Sequence, residues 1–517
     1  MSHTAFQPKG PRHEFEADYV IVGSGAGGAT AAVTLARGGA SVALVEAGPF
    51  REPEDYPSSV YGAMRDMLDT WGSTFTRGRA FWPVVQGRLV GGSTVVNSAI
   101  CVRTPGDILQ RWGEDFGLED PDALLSIQDE LESELSAEPV PLVALGRHNE
   151  LALKGDEELG YGGHRMVRYV KGCRGDGQCL QGCKADRKQS LNRNFVPEML
   201  ARGGQLLSCA PVQRVLFEGR RAVGVRGRFR HPLQRRKGAH FTVRARKGVM
   251  VAASVTYSAP LLMRSGVKLP ALGEGFRAHP GTPVFGVYDE PVNMNTGATQ
   301  GWATTRFREE PGFKLETLSL PLDMQAGRLA GGGAELMQRL GEFSHIAMWV
   351  QATRAESVGR IRPAFGGKSN IYYTLKRPDM ERFVAGMAAV ARMHFAAGAR
   401  KVLPGIFGLP YSIGPDEVHL IESAPRDPRA YVSILSHLFG GCTMGRDASR
   451  SVADPRGRVH GHPGLYVVDA SVFPTNLGVN PQHTIMAVAR HFAELALDAS
   501  PARPGSSHAP PRLAATG

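Results

Sequence analysis

The chain has no run of about 18 apolar residues, the length a membrane-crossing helix needs, so no transmembrane segment is expected. Its N-terminus, Met1 to Asp18, lacks an apolar signal-peptide stretch and lacks paired arginines. The expectation is a cytoplasmic protein, with export bound to a signal-bearing partner subunit as the other route. Cysteine is scarce. Six in 517 residues make no disulfide framework, and three of them, Cys173, Cys179 and Cys183, share one short loop. That pattern favours a reducing compartment and marks a site. There is no internal repeat and no low-complexity core, which excludes solenoid and fibrous architectures. Acid is in deficit, with a net charge of +11, yet the basic residues are scattered. The densest groups, 226–231 and 235–237, read as a solvated hairpin rim. Nucleic-acid binding is therefore not expected, and the basic excess suits solubility and anionic ligands.

What is present is a βαβ pattern from Asp18 to Gly48. The apolar run Tyr19–Val22 reads as a buried parallel strand and breaks into Gly23-Ser24-Gly25-Ala26-Gly27-Gly28. An Ala-rich amphipathic helix follows to about Arg37, and a second apolar run, Val42–Val45, ends in Glu46. This is G-x-G-x-x-G in the turn of a βαβ unit, with an acid at the second strand's end, the fingerprint of a dinucleotide site. Gly23 permits the tight turn, Gly25 lets the backbone approach a pyrophosphate, and Gly28 lets helix and strand pack closely. Ser24 and Ala26 belong to the same turn. Free N–H groups at the helix start favour phosphate, and Glu46 accepts from a ribose hydroxyl. The unit does not distinguish FAD from NAD.

The pattern does not continue as a second nucleotide half. Residues 49–83 are irregular and aromatic-rich, and 105–153 are largely helical and acidic. Strand patterns at 205–210, 212–217, 222–226 and 247–253 precede a helix entered near Ser258. Alternating patterns between 284 and 430, with a helix from Met380 to Ala397, read as an antiparallel-sheet domain. A last helix runs from Thr484 to Leu497, and the Pro/Ala/Ser-rich stretch 501–517 reads as a disordered tail. The expected fold is an α/β FAD-binding domain, Rossmann-like and of glutathione-reductase type, plus an α+β substrate domain with an antiparallel sheet. The first comprises 15–50, 84–105, 193–283 and 432–500; the second comprises 51–83, 106–192 and 284–431.

Three further stretches carry a resemblance: Gly87-Arg88 with Gly91-Gly92-Ser93-Thr94 and Asn97, Ala253 to Gly266, and His437 through Asp469 to Asn480-Pro481. With Gly23 to Glu46 they resemble the glucose–methanol–choline family of FAD-dependent alcohol oxidoreductases. Ser254 stands where that family usually has glycine. The resemblance implies that hydride leaves an alcohol carbon for flavin N5 while a histidine takes the hydroxyl proton and a second group holds the oxygen. Those roles fall on His437 and Asn480, as in the choline and cholesterol oxidase branch. Asn480 ahead of Pro481 also reads as a helix cap. The resemblance further places Arg88, Gly91, Gly92, Ser93, Thr94, Asn97, Val212, Asp469, Ala470, Pro481 and Thr484 against FAD. The final helix's N-terminus is expected at the flavin N1–C2=O edge. Members that bind FAD covalently use a histidine at the position of Val96, so dissociable, non-covalent FAD is expected.

The loop Cys173-x5-Cys179-x3-Cys183 has three readings. Its spacing is similar to that of bacterial FAD-dependent glucose dehydrogenase, which implies a [3Fe–4S] cluster passing electrons to a partner. Gly182-Cys183-Lys184 with Lys188-Gln189 equally resembles long-chain alcohol oxidases, which implies a structural or disulfide role. Zinc would need a fourth ligand such as His164. The expected substrate is a small-molecule alcohol, bulky or apolar, and the expected acceptor a protein or quinone. An oxygen-using oxidase and a non-redox lyase on the same fold are the alternatives.

Overall fold

The apolar run Tyr19–Val22 proves to be the end of a ten-residue strand, His13–Val22, in the computed structural model, which describes residues 2–499. The expected tail at 501–517 lies outside the described residues. The strand is central to an eight-stranded sheet. It pairs in parallel with Val42–Val45 on one side and with Lys237–Val251 on the other. Gln205–Leu207, Ser2–Thr4 and Leu465–Val467 extend the parallel part. Arg221–Arg230 and Val212–Glu218 add an antiparallel meander at one edge. Central strands of a parallel sheet are covered on both faces, which is why Tyr19–Val22 and Val42–Val45 are wholly buried apolar runs.

The helix Ala26–Arg37 packs on this sheet and against the last helix, Gln482–Asp498. Its two threonines return their hydroxyls to carbonyls one turn back, Thr30 to Ala26 at 2.7 Å and Thr34 to Thr30 at 2.8 Å, so no polar group is orphaned. Gly23 takes φ +96°, and a Cβ on Gly28 would sit 1.9 Å from the Gly23 carbonyl oxygen. The first glycine makes the turn and the last permits the packing, as the fingerprint requires.

The second sheet has eleven strands and is mostly antiparallel. Its middle runs Ile434–Phe439, Arg277–Val287, Ile346–Thr353 and Phe313–Thr317, each antiparallel to the next. Arg277–Val287 crosses residue 283, so this sheet draws on chain from both sides of that position. The twenty-residue helix Arg377–Ala396 covers one face. An α/β dinucleotide domain beside an α+β domain with an antiparallel sheet is the architecture the sequence pattern indicates. Among the described residues, no helix is long and apolar enough to cross a membrane.

Candidate active site

A continuous cavity of about 880 Å³ takes its walls from both sheets. That volume lies in the range of cofactor and small-molecule sites, roughly 300–1,000 Å³. One wall is lined by Gly23, Gly25, Ala26 and Glu46, together with Arg88, Gly92, Ser93, Thr94 and Val212, and Asn97, which donates to Gln482 Oε1 at 2.6 Å, links it to the last helix. Ser24, Gly28 and Gly91 stand behind this wall. Ser24 is the link: its N–H and hydroxyl donate to Glu46 Oε2 at 2.9 and 2.8 Å, and its oxygen accepts from the Gly91 N–H at 3.1 Å. The Gly48 N–H donates to Glu46 Oε1 at 2.8 Å. Burial pushes the Glu46 carboxyl up, against these donors. Oε1 keeps a lone pair for a ribose hydroxyl.

The helix Ala26–Arg37 starts at Gly25 with no side-chain cap and no acid in its first turn. Gly25, Ala26 and Gly27 line the cavity, so the helix's free N–H groups present a donor set for phosphate there. Asp469, also lining, accepts from the Ser254 N–H at 2.9 Å, the Ser258 hydroxyl at 2.5 Å and the Ser471 N–H at 2.9 Å. Ser254 adopts φ +77° and ψ +161°, a conformation glycine reaches freely, and its hydroxyl donates to Gln86 Oε1 at 3.0 Å. The turn geometry thus survives the replacement of the usual glycine.

His437, Asn480 and Pro481 line the cavity too, as does Ala470, whose neighbour Asp469 packs against Gly27. His437 lies directly across the antiparallel ladder from His279, and their Nδ1 atoms are 3.1 Å apart. His279 Nε2 is 3.0 Å from the Ala352 carbonyl, which can only accept, so Nε2 carries the proton. Burial, the neighbouring His437 and Lys314 push His279 well below its ordinary value, so it is neutral and its Nδ1 is bare. His437 Nδ1 must then donate. Burial and Lys314 push His437 down to about 4, so it too is neutral, and its free nitrogen, Nε2, carries a lone pair. The pairing of two strands thus sets the tautomer of His437.

Asn480 is fixed by a buried ion pair. Lys314 and Glu316 share one face of the strand Phe313–Thr317 and bond to each other. The Lys314 ammonium also donates to Asn480 Oδ1 at 2.5 Å, and Asn480 Nδ2 lies 3.5 Å from Glu316 Oε2. An ammonium only donates, so the amide oxygen faces Lys314 and the amide N–H groups form the other side. Burial pulls the Lys314 ammonium down while Glu316 holds it up. Burial works against the Glu316 charge too, but Lys314 and His437 hold it below the ordinary carboxylate range. The helix after Asn480 begins at Gln482, with Pro481 at the cap position and no side-chain cap bond. Asn480 is therefore not the helix cap its position suggests; its amide is occupied by Lys314.

Comparison with known proteins decides the family. The GMC oxidoreductase N-terminal pattern matches residues 17–281, and the C-terminal pattern matches 359–489. The chain belongs to the GMC oxidoreductase family. An uncharacterized GMC-type oxidoreductase of Mycobacterium tuberculosis is 35% identical over 483 residues, covering 92% of this chain and 75% of that one. A long-chain-alcohol oxidase of Arabidopsis thaliana is 27% identical over 518 residues, covering 92% of this chain and 67% of that one. Formate oxidase of Aspergillus oryzae shares the fold, with a TM-score of 0.72 at 18% identity, covering 94% of this chain and 98% of that one. Membership supports FAD in the cavity, and the residues present fit it: a glycine cradle, a free helix N-terminus and two carboxylates at separate positions.

Not every expected residue of this GMC oxidoreductase reaches the cavity. Thr484 is buried away from it, its hydroxyl 2.9 Å from that of Thr104. The cysteine loop differs most from expectation. All six cysteines are free thiols. The Arg168 guanidinium donates to Cys179 Sγ at 2.9 Å, and the Arg187 N–H donates to Cys183 Sγ at 3.3 Å. The loop encloses about 30 Å³, room for about one water, which does not fit the seven atoms of a [3Fe–4S] cluster. Nor do the three sulfurs converge with His164 as zinc would need; among the described residues only Cys101, Glu132 and His483 bring three such ligand atoms together. Arg103 is already paired with that Glu132.

The loop instead straps the cofactor wall. The buried Lys188 ammonium donates to the carbonyls of Val95, Asn97 and Cys179 at 2.5, 2.8 and 2.9 Å. Burial pushes the Cys179 thiol up, but Arg168 and Lys188 outweigh it and hold it down to about 7.

Sequence reasoning misses His279, Lys314 and Glu316. Phe313-Lys-Leu-Glu-Thr317 alternates charge with apolar residues and looks half-solvated, yet all five are buried. A signal existed: charged residues of opposite sign on one face of a strand can neutralise each other inside a core.

Proposed function

We propose that this GMC oxidoreductase oxidises an alcohol, CH–OH to carbonyl, with His437 as base and Asn480 orienting the hydroxyl. The observation that carries this reading is the His279–His437 chain, which leaves Nε2 of a neutral histidine bare on a residue that lines the same cavity as Asn480. Bound FAD supplies the hydride acceptor, N5. His437 Nε2 takes the hydroxyl proton, and the Asn480 N–H group, held outward by Lys314, donates to the alcohol oxygen. Glu316 lines the cavity, and the Lys314 ammonium behind it holds the Asn480 oxygen, so it is the amide N–H that meets the developing alkoxide charge. The FAD is non-covalent, since Val96, which lines the cavity, has no atom to form a bond to it.

The substrate is a bulky or apolar alcohol. Leu318, Leu320, Met348, Val350, Ile434 and Leu438 line the cavity, and a relative is named a long-chain-alcohol oxidase. Electrons leave to an external acceptor without passing through the cysteine loop. The test is anaerobic addition of long-chain primary alcohols, sterols and sugars to the FAD-loaded protein. Bleaching of the flavin by the apolar alcohols, with carbonyl product formed, is the expected result; no bleaching by any alcohol sinks the reading. Oxygen and a quinone offered to the reduced protein then identify the acceptor.

The pH dependence has a definite sign. A base must be deprotonated, and His437 is pushed down to about 4. Flavin reduction at saturating alcohol should therefore rise as pH climbs through about 4 and be level at neutral pH. An unshifted histidine would place that limb near pH 6.5 instead.

A further inference from the structure

The basic hairpin of strands Arg221–Arg230 and Lys237–Val251 reads from sequence as a solvated rim, but it is only half so. Arg226 is exposed, while Arg230 and Arg235 are half-buried and line the cavity with Arg88 and Arg264. Among the described residues, the guanidiniums of Arg230, Arg235 and Arg264 make no hydrogen bond and no ion pair, and Arg264 Nη1 is fully buried. Arg88 has Asp69 at 3.9 Å, and Asp69 is already bonded to the Tyr257 hydroxyl at 2.5 Å. Burial pulls Arg230 and Arg235 below the ordinary arginine value, and Arg88 pulls both down further.

Two of the fully buried arginines elsewhere are neutralised by carboxylates. Arg308 pairs with Asp107 at 2.9 Å and Arg490 with Glu134 at 2.8 Å. Asp69 acts on Arg88 and Arg235 and Glu46 on Arg88, but two carboxylates do not balance four guanidiniums in a partly dry wall, and that excess of like charge suits an anionic ligand. The neighbours identify which part of it. Arg88 Nη2 reaches the Ala47 carbonyl at 3.5 Å, next to Glu46, and Val212 lines the same region, so the cluster stands at the adenosine side of the cavity.

We infer that Arg230 and Arg235, together with Arg88, clamp the pyrophosphate of FAD from the side opposite the helix N-terminus. Two or three guanidiniums match a doubly charged pyrophosphate in charge and in fork geometry. The clamp retains by charge a cofactor that Val96 does not tether. It rests on FAD as the ligand but not on alcohol as the substrate.

The test compares wild type with Arg230→Gln, Arg235→Gln and the double variant, and with Arg226→Gln as an exposed control on the same hairpin. Affinities of the FAD-free protein for FAD, ADP and riboflavin are measured at low and high salt, with melting of the FAD-free and FAD-loaded forms. FAD and ADP should each bind about tenfold more weakly per arginine removed, with a shallower salt dependence and riboflavin unchanged. FAD-free variants should melt at the wild-type temperature or above it, because repulsion is relieved, while the stabilisation gained on adding FAD shrinks. Arg235→Lys should keep part of the affinity. Unchanged ADP affinity, an equal loss for riboflavin, or FAD-free variants that melt below wild type would each overturn the clamp. Wild-type protein that binds ADP yet is not reduced by any alcohol leaves the clamp standing and removes the alcohol reading.

Discussion

His437→Ala should slow flavin reduction by alcohol about a hundred- to ten-thousandfold, the range a positioned general base contributes, while FAD stays bound. The retention follows from the separation of tasks along the cavity. The glycine turn and Glu46 belong to the first sheet and His437 to a strand of the second. Alanine removes the proton acceptor and leaves His279 Nδ1 without its donor, but His279 keeps the Ala352 carbonyl and stays neutral. Rapid mixing with alcohol under anaerobic conditions reads the rate, and the flavin spectrum reads occupancy. The variant should also lose the acid limb near pH 4. A rate above about a tenth of wild type would assign the base elsewhere.

The half of the site that binds a dinucleotide is legible in sequence because it is local. Gly23, Gly28 and Glu46 act through spacing within one βαβ unit, and that spacing is written in thirty consecutive residues. The half proposed to be catalytic is legible only in part. His437 and Asn480 stand out through their motif, but what tunes them does not. His279 faces His437 because strands Arg277–Val287 and Ile434–Phe439 pair antiparallel up to a register shift just after His279, and a slip of one residue would turn its ring to the other face. Lys314 and Glu316 look solvated because their strand alternates, and only the packing around Phe313–Thr317 shows that both faces are covered. The cysteine loop misleads for the opposite reason. Spacing suggests ligands, whereas Arg168 and Lys188, distant from it in character and invisible to a cysteine count, fill the positions around Cys179. The basic hairpin is similar: a count of charges gives a rim, whereas the register shift after Arg228 and the turn that follows bring Arg230 and Arg235 into the cavity wall.

Lys314→Met should be the most destabilising single change at the site, by about 3–5 kcal/mol, because it strands Glu316 as a buried, unpaired carboxylate. The Lys314 ammonium bonds Glu316 and Asn480 together and is itself fully buried, so no water can take its place. Replacing both charges, Lys314→Met with Glu316→Leu, should recover most of that loss, since a well-packed apolar pair is often as stable as a buried ion pair. Activity should not recover with stability. Asn480 then has neither a donor for its oxygen nor an acceptor for its nitrogen, its amide can turn over, and the alcohol oxygen loses its orienting N–H. The pH profile separates the two roles. In the single variant Glu316 acts on His437 unopposed by Lys314, so the acid limb of flavin reduction should move up from about 4. In the double variant both influences are gone and the limb should fall between the two. Denaturant unfolding of the wild type, both singles and the double gives the coupling energy directly. If the lysine variant unfolds at the wild-type denaturant concentration, the pair does not hold Asn480. If the limb stays near pH 4 in every variant, the ion pair has no part in keeping His437 neutral.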